Sequence, residues 1–278
     1  MTNHLSDRVI IVTGAGGGFG REICELAASR GASIVGADID RTGLNETVNR
    51  IVDAGGRAFG RVTDVRSATE MDALVTDAVS AHGRVDVLVN NAGTMPLAFF
   101  ADHAAAREAW DRCIDINFKG VLNGITAVHD QMIEQGRGQI VNISSIYGNV
   151  ATVGAAVYTA TKAAVNILSD TLRAESQGRI KVTNVKPTGV PGTGLGGGMV
   201  NGAGITGILG QNFDDYVETI TAAMAGELPA SKLDPDSIEY WAITPAELAE
   251  AVVHAIDQPW GISISDITVR ASGDRFLF

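Results

Sequence analysis

Six short runs rich in Val and Ile recur between segments of helical period across the first 190 residues, and this alternation limits the possible folds more than any other feature. The runs are 8–13 (RVIIVT), 33–38 (SIVGAD), 57–62 (RAFGRV), 86–90 (DVLVN), 139–144 (QIVNIS) and 180–185 (IKVTNV). Near-continuous apolar runs of this length suit strands buried on both faces. Between them, residues 21–30, 44–54, 69–82, 104–135 and 155–177 space their apolar side chains at helical intervals. Each strand–helix–strand repeat implies a right-handed crossover between parallel strands. Helices then cover both faces of one sheet, so the expected fold class is α/β with a doubly wound parallel sheet. No linker or internal repeat interrupts the 278 residues, which read as one domain over 1–278.

The pattern changes after Pro187. Residues 189–210 hold ten glycines in 22 positions, and regular structure is disfavoured there because glycine loses the most backbone freedom on ordering. Helical period resumes over 212–225 and 244–258, the second opened by a capping box of Thr244 and Glu247 with Pro245 between them. Residues 262–269 (ISISDITV) alternate apolar and polar, as a last strand would. The stretch 189–243 reads as a substrate-binding insertion. Its glycine-rich half is expected to be a lid that closes Met199, Ile205, Ile208 and Leu209 over an apolar substrate.

Charge narrows the partners. Twenty-one Lys and Arg against 32 Asp and Glu leave a net charge of −11, which argues against nucleic acid and against an anionic membrane surface. No apolar run is long enough to span a bilayer, and the first residues lack the basic-then-apolar pattern of a secretory signal. Cys24 and Cys113 are far apart and fit no metal spacing, nor do His4, His82, His103, His129 and His254. No metal is expected, and a cytoplasmic location is.

Two patterns carry chemistry. The first is Gly14-Ala15-Gly16-Gly17-Gly18-Phe19-Gly20, which follows the first strand and opens a helix. Glycines there allow close backbone approach to a phosphate, and the helix end adds positive potential. Strict G-x-G-x-x-G spacing fails at Phe19, while Gly14-x-x-x-Gly18-x-Gly20 fits a known variant. Asp38 ends the second strand, at the spacing where an acid meets an adenosine ribose. Its carboxylate would accept from the ribose hydroxyls and repel a 2′-phosphate, and Gly17 offers no cation to hold one. NAD is therefore expected over NADP, with Arg41 as the one nearby base.

The second is Tyr158-Thr159-Ala160-Thr161-Lys162, which puts Tyr158 and Lys162 on one helix face. A neighbouring ammonium is expected to bring a phenol toward the range where it can exchange protons. Ser145 ends the fifth strand 13 residues earlier, Asn90-Asn91-Ala92-Gly93 ends the fourth, and Asn117 lies in the long helix between them. Carboxyl ends of parallel strands are where such sheets hold ligands.

In these linked motifs the chain resembles the short-chain dehydrogenase/reductase family over about residues 5–190. The resemblance implies a Rossmann fold and makes Tyr158 the acid or base. It gives Lys162 the task of lowering the tyrosine pKa and binding the nicotinamide ribose. Ser145 would polarise the carbonyl, and Asn117 would hold a relay water. It places cofactor contacts at Gly14, Gly18, Phe19, Gly20, Asp38, Asn91, Ala92, Gly93, Tyr158 and Lys162, and makes Asp64 and Val65 the adenine-contacting pair. It adds the segment Pro187, Thr188, Gly189 and Val190, where the family usually has Pro-Gly. The function implied is NAD-dependent interconversion of a secondary alcohol and a ketone, the substrate mostly apolar as Met95, Pro96 and Leu97 suggest. The alternatives are a non-redox epimerase or dehydratase with bound NAD, and a non-catalytic NAD sensor. A homodimer or homotetramer is expected, from the long helices at 104–135 and 155–177 and from the apolar tail 275–278.

Overall fold

A computed structural model describes residues 3–277. Seven strands form one all-parallel sheet in the order β3-β2-β1-β4-β5-β6-β7. They are β1 (Val9–Thr13), β2 (Ser33–Asp38), β3 (Arg57–Val62), β4 (Val87–Asn90), β5 (Gly138–Ile143), β6 (Ile180–Pro187) and β7 (Asp266–Val269). The crossovers and additions are α1 (Gly18–Ser29), α2 (Arg41–Asp53), α3 (Ala68–His82), α4 (His103–Ile114), α5 (Val121–Glu134), α6 (Ala156–Glu175), α7 (Thr206–Leu209), α8 (Phe213–Ala225), α9 (Ala230–Leu233) and α10 (Pro245–Ile256).

Strand alternation sorts the core into two halves. In β1, Ile10 and Val12 point to the face covered by α1, α2 and α10, where they meet Ile23, Leu44 and Val253. Val9 and Ile11 point to the other face, covered by α3, α5 and α6, where they meet Leu74, Val128 and Val165. Both halves are mainly apolar, as parallel strands require; among the buried polar side chains, Gln139 Nε2 donates to Ala255 O at 3.0 Å on the first face and Asn142 Nδ2 to Ser169 Oγ at 2.9 Å on the second. A third cluster of Leu97, Cys113, Tyr147, Tyr158, Ile208 and Leu209 sits apart from these two.

Three expectations need correction. The helix over 104–135 is not uniform, because a π-helical turn at Asp115–Gly120 joins α4 to α5. The last strand starts at Asp266 rather than at 262. Before it, Lys181 Nζ takes the Ile262 carbonyl at 3.0 Å and Thr183 Oγ1 takes that of Ile264 at 2.7 Å, so side chains replace the ladder. Residues 189–210 do carry regular structure: 3-10 turns at Gly194–Gly198 and Gly202–Ile205, then α7. Packing holds them, since Val200 N and Asn201 N both donate to Leu97 O at 3.1 and 2.9 Å. The capping box at α10 is as expected, with Glu247 N donating to Thr244 Oγ1 at 3.2 Å and Thr244 N to Glu247 Oε2 at 2.7 Å.

Candidate active site

The sheet order reverses between β1 and β4, and a crevice opens at their carboxyl ends. Thr13 and Asn91 hold its floor together. Asn91 N donates to Thr13 Oγ1 at 3.0 Å, and its Nδ2 donates to Thr13 O and Gly14 O at 2.9 and 3.1 Å. The glycine turn runs above this floor with Gly14 and Gly18 at φ +68° and +50°, a region that favours glycine. A Cβ at Gly20 would lie 1.9 Å from Gly14 O, so Gly20 lets α1 start against the turn. Gly17 has nothing near its Cβ position, and the α1 N-terminus carries no side-chain cap. Its first amides receive no side-chain acceptor from the N-cap residue.

A cavity of about 680 Å³ runs from this turn across the crevice. At its turn end, Asp38 accepts from Gly16 N and Asp40 N, both at 2.8 Å, and both carboxylates line the wall. Arg21, the cation beside the turn, is committed to Glu46 at 3.0 Å and to Gly16 O at 2.7 Å. Asn91, Ala92 and Gly93 line the middle, with Pro187, Thr188, Gly189 and Val190 opposite. Asp64 and Val65 do not line it. The Asp64 carboxylate is held by Arg66 at 2.6 Å, which keeps it below the usual carboxylate range, and Val65 is buried against Gly120.

At the inner end stand Ser145, Tyr158 and Lys162, exposed by 4, 4 and 6%. The family of hydroxyls and charge is built by local structure. Ser145 caps a 3-10 turn at Ile146–Gly148, accepting from Tyr147 N at 3.2 Å. Tyr158 and Lys162 project from the first turns of α6, with Lys162 Nζ 5.8 Å from the tyrosine ring centre. Lys162 Nζ donates to Ile143 O at 2.7 Å. Burial pushes the Tyr158 hydroxyl up to about 12, with the Ser145 hydroxyl pulling the other way, and pushes Lys162 down to about 8. Burial thus governs the phenol, and the lysine charge that was expected to lower it is not among the causes of its shift.

Asn117 is fully buried in the π-helical turn. Its Oδ1 accepts from Thr94 N and its Nδ2 donates to Thr94 O, both at 2.9 Å, and Nδ2 also reaches Thr161 Oγ1 at 3.3 Å. The side chain therefore fixes the loop after β4 rather than facing the cavity. Tyr147, which sequence reasoning missed, lines the cavity with its hydroxyl donating to Ile208 O at 3.3 Å. An aromatic two residues beyond Ser145 was the available signal. Of the expected lid residues, Met199, Ile205 and Ile208 line the cavity, whereas Leu209 is buried behind it.

A profile of the family described as short chain dehydrogenase matches residues 8–203. The chain belongs to the short-chain dehydrogenase family. It is 32% identical over 275 residues to an uncharacterised oxidoreductase of Staphylococcus saprophyticus, covering 97% of this chain and 98% of the other. Among solved structures, this short-chain dehydrogenase is similar to a variant of the actinorhodin polyketide ketoreductase with NADPH. That match has a TM-score of 0.77 and 29% identity, over 98% of this chain and 99% of that one. It is also similar to a short-chain dehydrogenase/reductase of Burkholderia phymatum in complex with NAD, with a TM-score of 0.74 and 27% identity over 96% and 90%. Among the described residues, no group of three or more His, Cys, Asp or Glu could hold a metal ion, and no helix is long and apolar enough to cross a membrane.

Proposed function

We propose that this protein interconverts a secondary alcohol and a ketone with NAD as hydride carrier. One observation carries the reading: Ser145, Tyr158 and Lys162 line the same cavity as the uncapped start of α1 and the Asp38 carboxylate. The residues present fit a dinucleotide. The bare Gly17 position and the uncapped α1 amides suit a pyrophosphate, and Asp38 suits a ribose diol. When bound, the nicotinamide supplies or accepts the hydride.

The chain's own residues then handle position and protons. Ser145 donates from its hydroxyl to the substrate oxygen and polarises it. Tyr158 gives its phenolic proton to that oxygen in reduction and takes one back in oxidation. Lys162 holds positive charge beneath the site and stabilises the phenolate that forms. With its side-chain amide occupied by Thr94, Asn117 would serve this relay through its backbone, within the π-helical turn. Met95, Tyr147, Ile205, Ile208 and Tyr216 give the substrate end an apolar lining, which supports a mostly apolar ketone.

Two carboxylates, Asp38 and Asp40, line the turn end of the cavity and would repel a 2′-phosphate held there, and Arg21 is occupied. We expect kcat/KM for NAD+ to exceed that for NADP+ by at least about 10-fold, a difference of roughly 1.4 kcal/mol. Asp38→Ala should narrow that gap. Initial rates at 340 nm with a panel of secondary alcohols measure both, and equal use of NADP+ by the unaltered protein would show that Arg41 governs instead.

The reading includes a cytoplasmic homo-oligomer. Ile114, Leu122 and Ile167 are exposed on α4, α5 and α6, where two copies would pair. Light scattering should return a multiple of 29.0 kDa, and a monomer mass at micromolar concentration would exclude it. The tail is no longer an argument for assembly, because Phe276 and Leu277 fold back onto their own chain; Phe278 lies outside the described residues.

A further inference from the structure

Gly189 stands in the segment opposite the glycine turn, and its Cβ position is filled by a ring from the far end of the chain. A Cβ there would lie 2.0 Å from Phe276 Cζ and 2.1 Å from Cε2. The ring also packs edge-on against Tyr216 of α8, centre to centre 5.6 Å, and both aromatics line the cavity. Next to it, Leu277 fills the space over Gly210 in the same way, with Cδ1 2.5 Å from the Cβ position.

The tail is held at every residue from 274 to 277. Asp274, with its side chain 1% exposed, accepts from Thr188 Oγ1 at 2.8 Å and pairs with Arg270. Asn212 Nδ2 donates to Arg275 O at 3.0 Å. Arg270 donates to Phe276 O at 3.1 Å, and Leu277 N donates to Ile208 O at 3.2 Å. A carboxylate this buried needs the partners it has. Thr188 is the residue by which this chain departs from the usual Pro-Gly. Its hydroxyl meets Asp274, and the glycine one place later makes room for Phe276. The departure and the tail form one fitted joint.

We propose that Phe276 is a specificity-determining residue, the outer wall that limits the size of the ketone, seated by the Asp274–Thr188 hydrogen bond against the segment beside the cofactor. The inference rests on the functional reading above and deepens it. Removing an aromatic ring from an apolar wall frees room for several methylene groups, each worth about 10-fold or more in discrimination.

The test is NADH-driven reduction of 2-butanone, 2-octanone, acetophenone and 2-acetonaphthone by the full chain. In Phe276→Ala, the ratio of kcat/KM for 2-acetonaphthone to that for 2-butanone should rise by about 10-fold or more. Phe276→Trp should lower it. Gly189→Ala, which displaces the ring while leaving the tail's sequence intact, should shift the ratio by at least about threefold and covers the case where Phe276→Ala does not fold. A ratio within twofold of the parent in the folded variants overturns the proposal, even if all rates fall together, since that pattern marks a merely structural ring. Should the parent reduce none of these ketones, the functional reading fails by itself. Dissociation constants of the same ketones for the NADH-loaded protein, by calorimetry, then carry the comparison, and a size ratio unmoved between parent and variants again overturns the wall.

Discussion

Phenylalanine at position 158 is expected to lower kcat/KM for ketone reduction by about 10²–10⁴-fold, the usual worth of a positioned acid, while NADH binds within about twofold of the parent. The ring is 4% exposed and packs among Leu97, Cys113 and Tyr147, and phenylalanine keeps that packing. Only the hydroxyl goes. Burial holds that hydroxyl up at about 12 in the protein without cofactor, so it carries its proton at neutral pH and is ready to act as an acid. Oxidation needs the opposite state, so the oxidation rate of the parent should climb with pH between about 7 and 10 while reduction does not. Absorbance at 340 nm reads the rates, and quenching of protein fluorescence reads NADH binding. Activity within a few-fold of the parent would remove Tyr158 from the mechanism.

Lys162→Met should separate activity from stability in opposite directions. Loss of the buried positive charge is expected to cost about 10²–10³-fold in turnover, comparable to removal of a preorganised electrostatic group. The same change should make the protein without cofactor harder to unfold at pH 7. Folding lowers the lysine pKa from 10.5 to about 8, because the ammonium is stripped of water. A group lowered in this way contributes its full stability only above 10.5 and loses it as pH falls through about 8. At neutral pH the folded protein therefore holds a charge it disfavours, at a cost of up to about 3 kcal/mol, one pKa unit being about 1.4. Methionine keeps the stem and gives up the hydrogen bond to Ile143 O, so a net rise of about 2–6 °C in Tm is expected at pH 7. The gain should shrink as pH approaches 10. A variant less stable than the parent at pH 7 would mean that the ammonium is better solvated than its burial indicates.

The parts legible in the sequence are those written by local rules. The near-continuous apolar run at Val9 to Val12 announced a strand buried on both faces. Thr244 and Glu247 marked the start of α10 because a cap is a contact between near neighbours. The spacing of Tyr158 and Lys162 placed both on one helix face, and Gly14, Gly18 and Gly20 announced a turn that other residues would strain. What escaped depends on contacts distant in sequence. The turns between 194 and 209 are held by Leu97 and Val153, and composition alone argued against them. Asp64 is a local exception: Arg66, only two residues on, holds the carboxylate that the resemblance gave to the adenine. The tail looked like an exposed apolar patch, and only Gly189 and Gly210, some 87 and 67 residues before Phe276 and Leu277, show where it goes.

The π-helical turn at Asp115–Gly120 bears on more than Asn117. Cys113, Asn117, Val121 and Ile125 are all buried and stand four residues apart. In a uniform α-helix each step of four overshoots a full turn by about 40°, so three steps would swing the buried stripe by about 120°. The wider turn absorbs the overshoot. Cys113 can then face the tyrosine pocket while Val121 and Ile125 face the sheet from the same rod. What the turn contributes is angular phase: it lets one stripe serve two differently placed surfaces without a break in the helix between them.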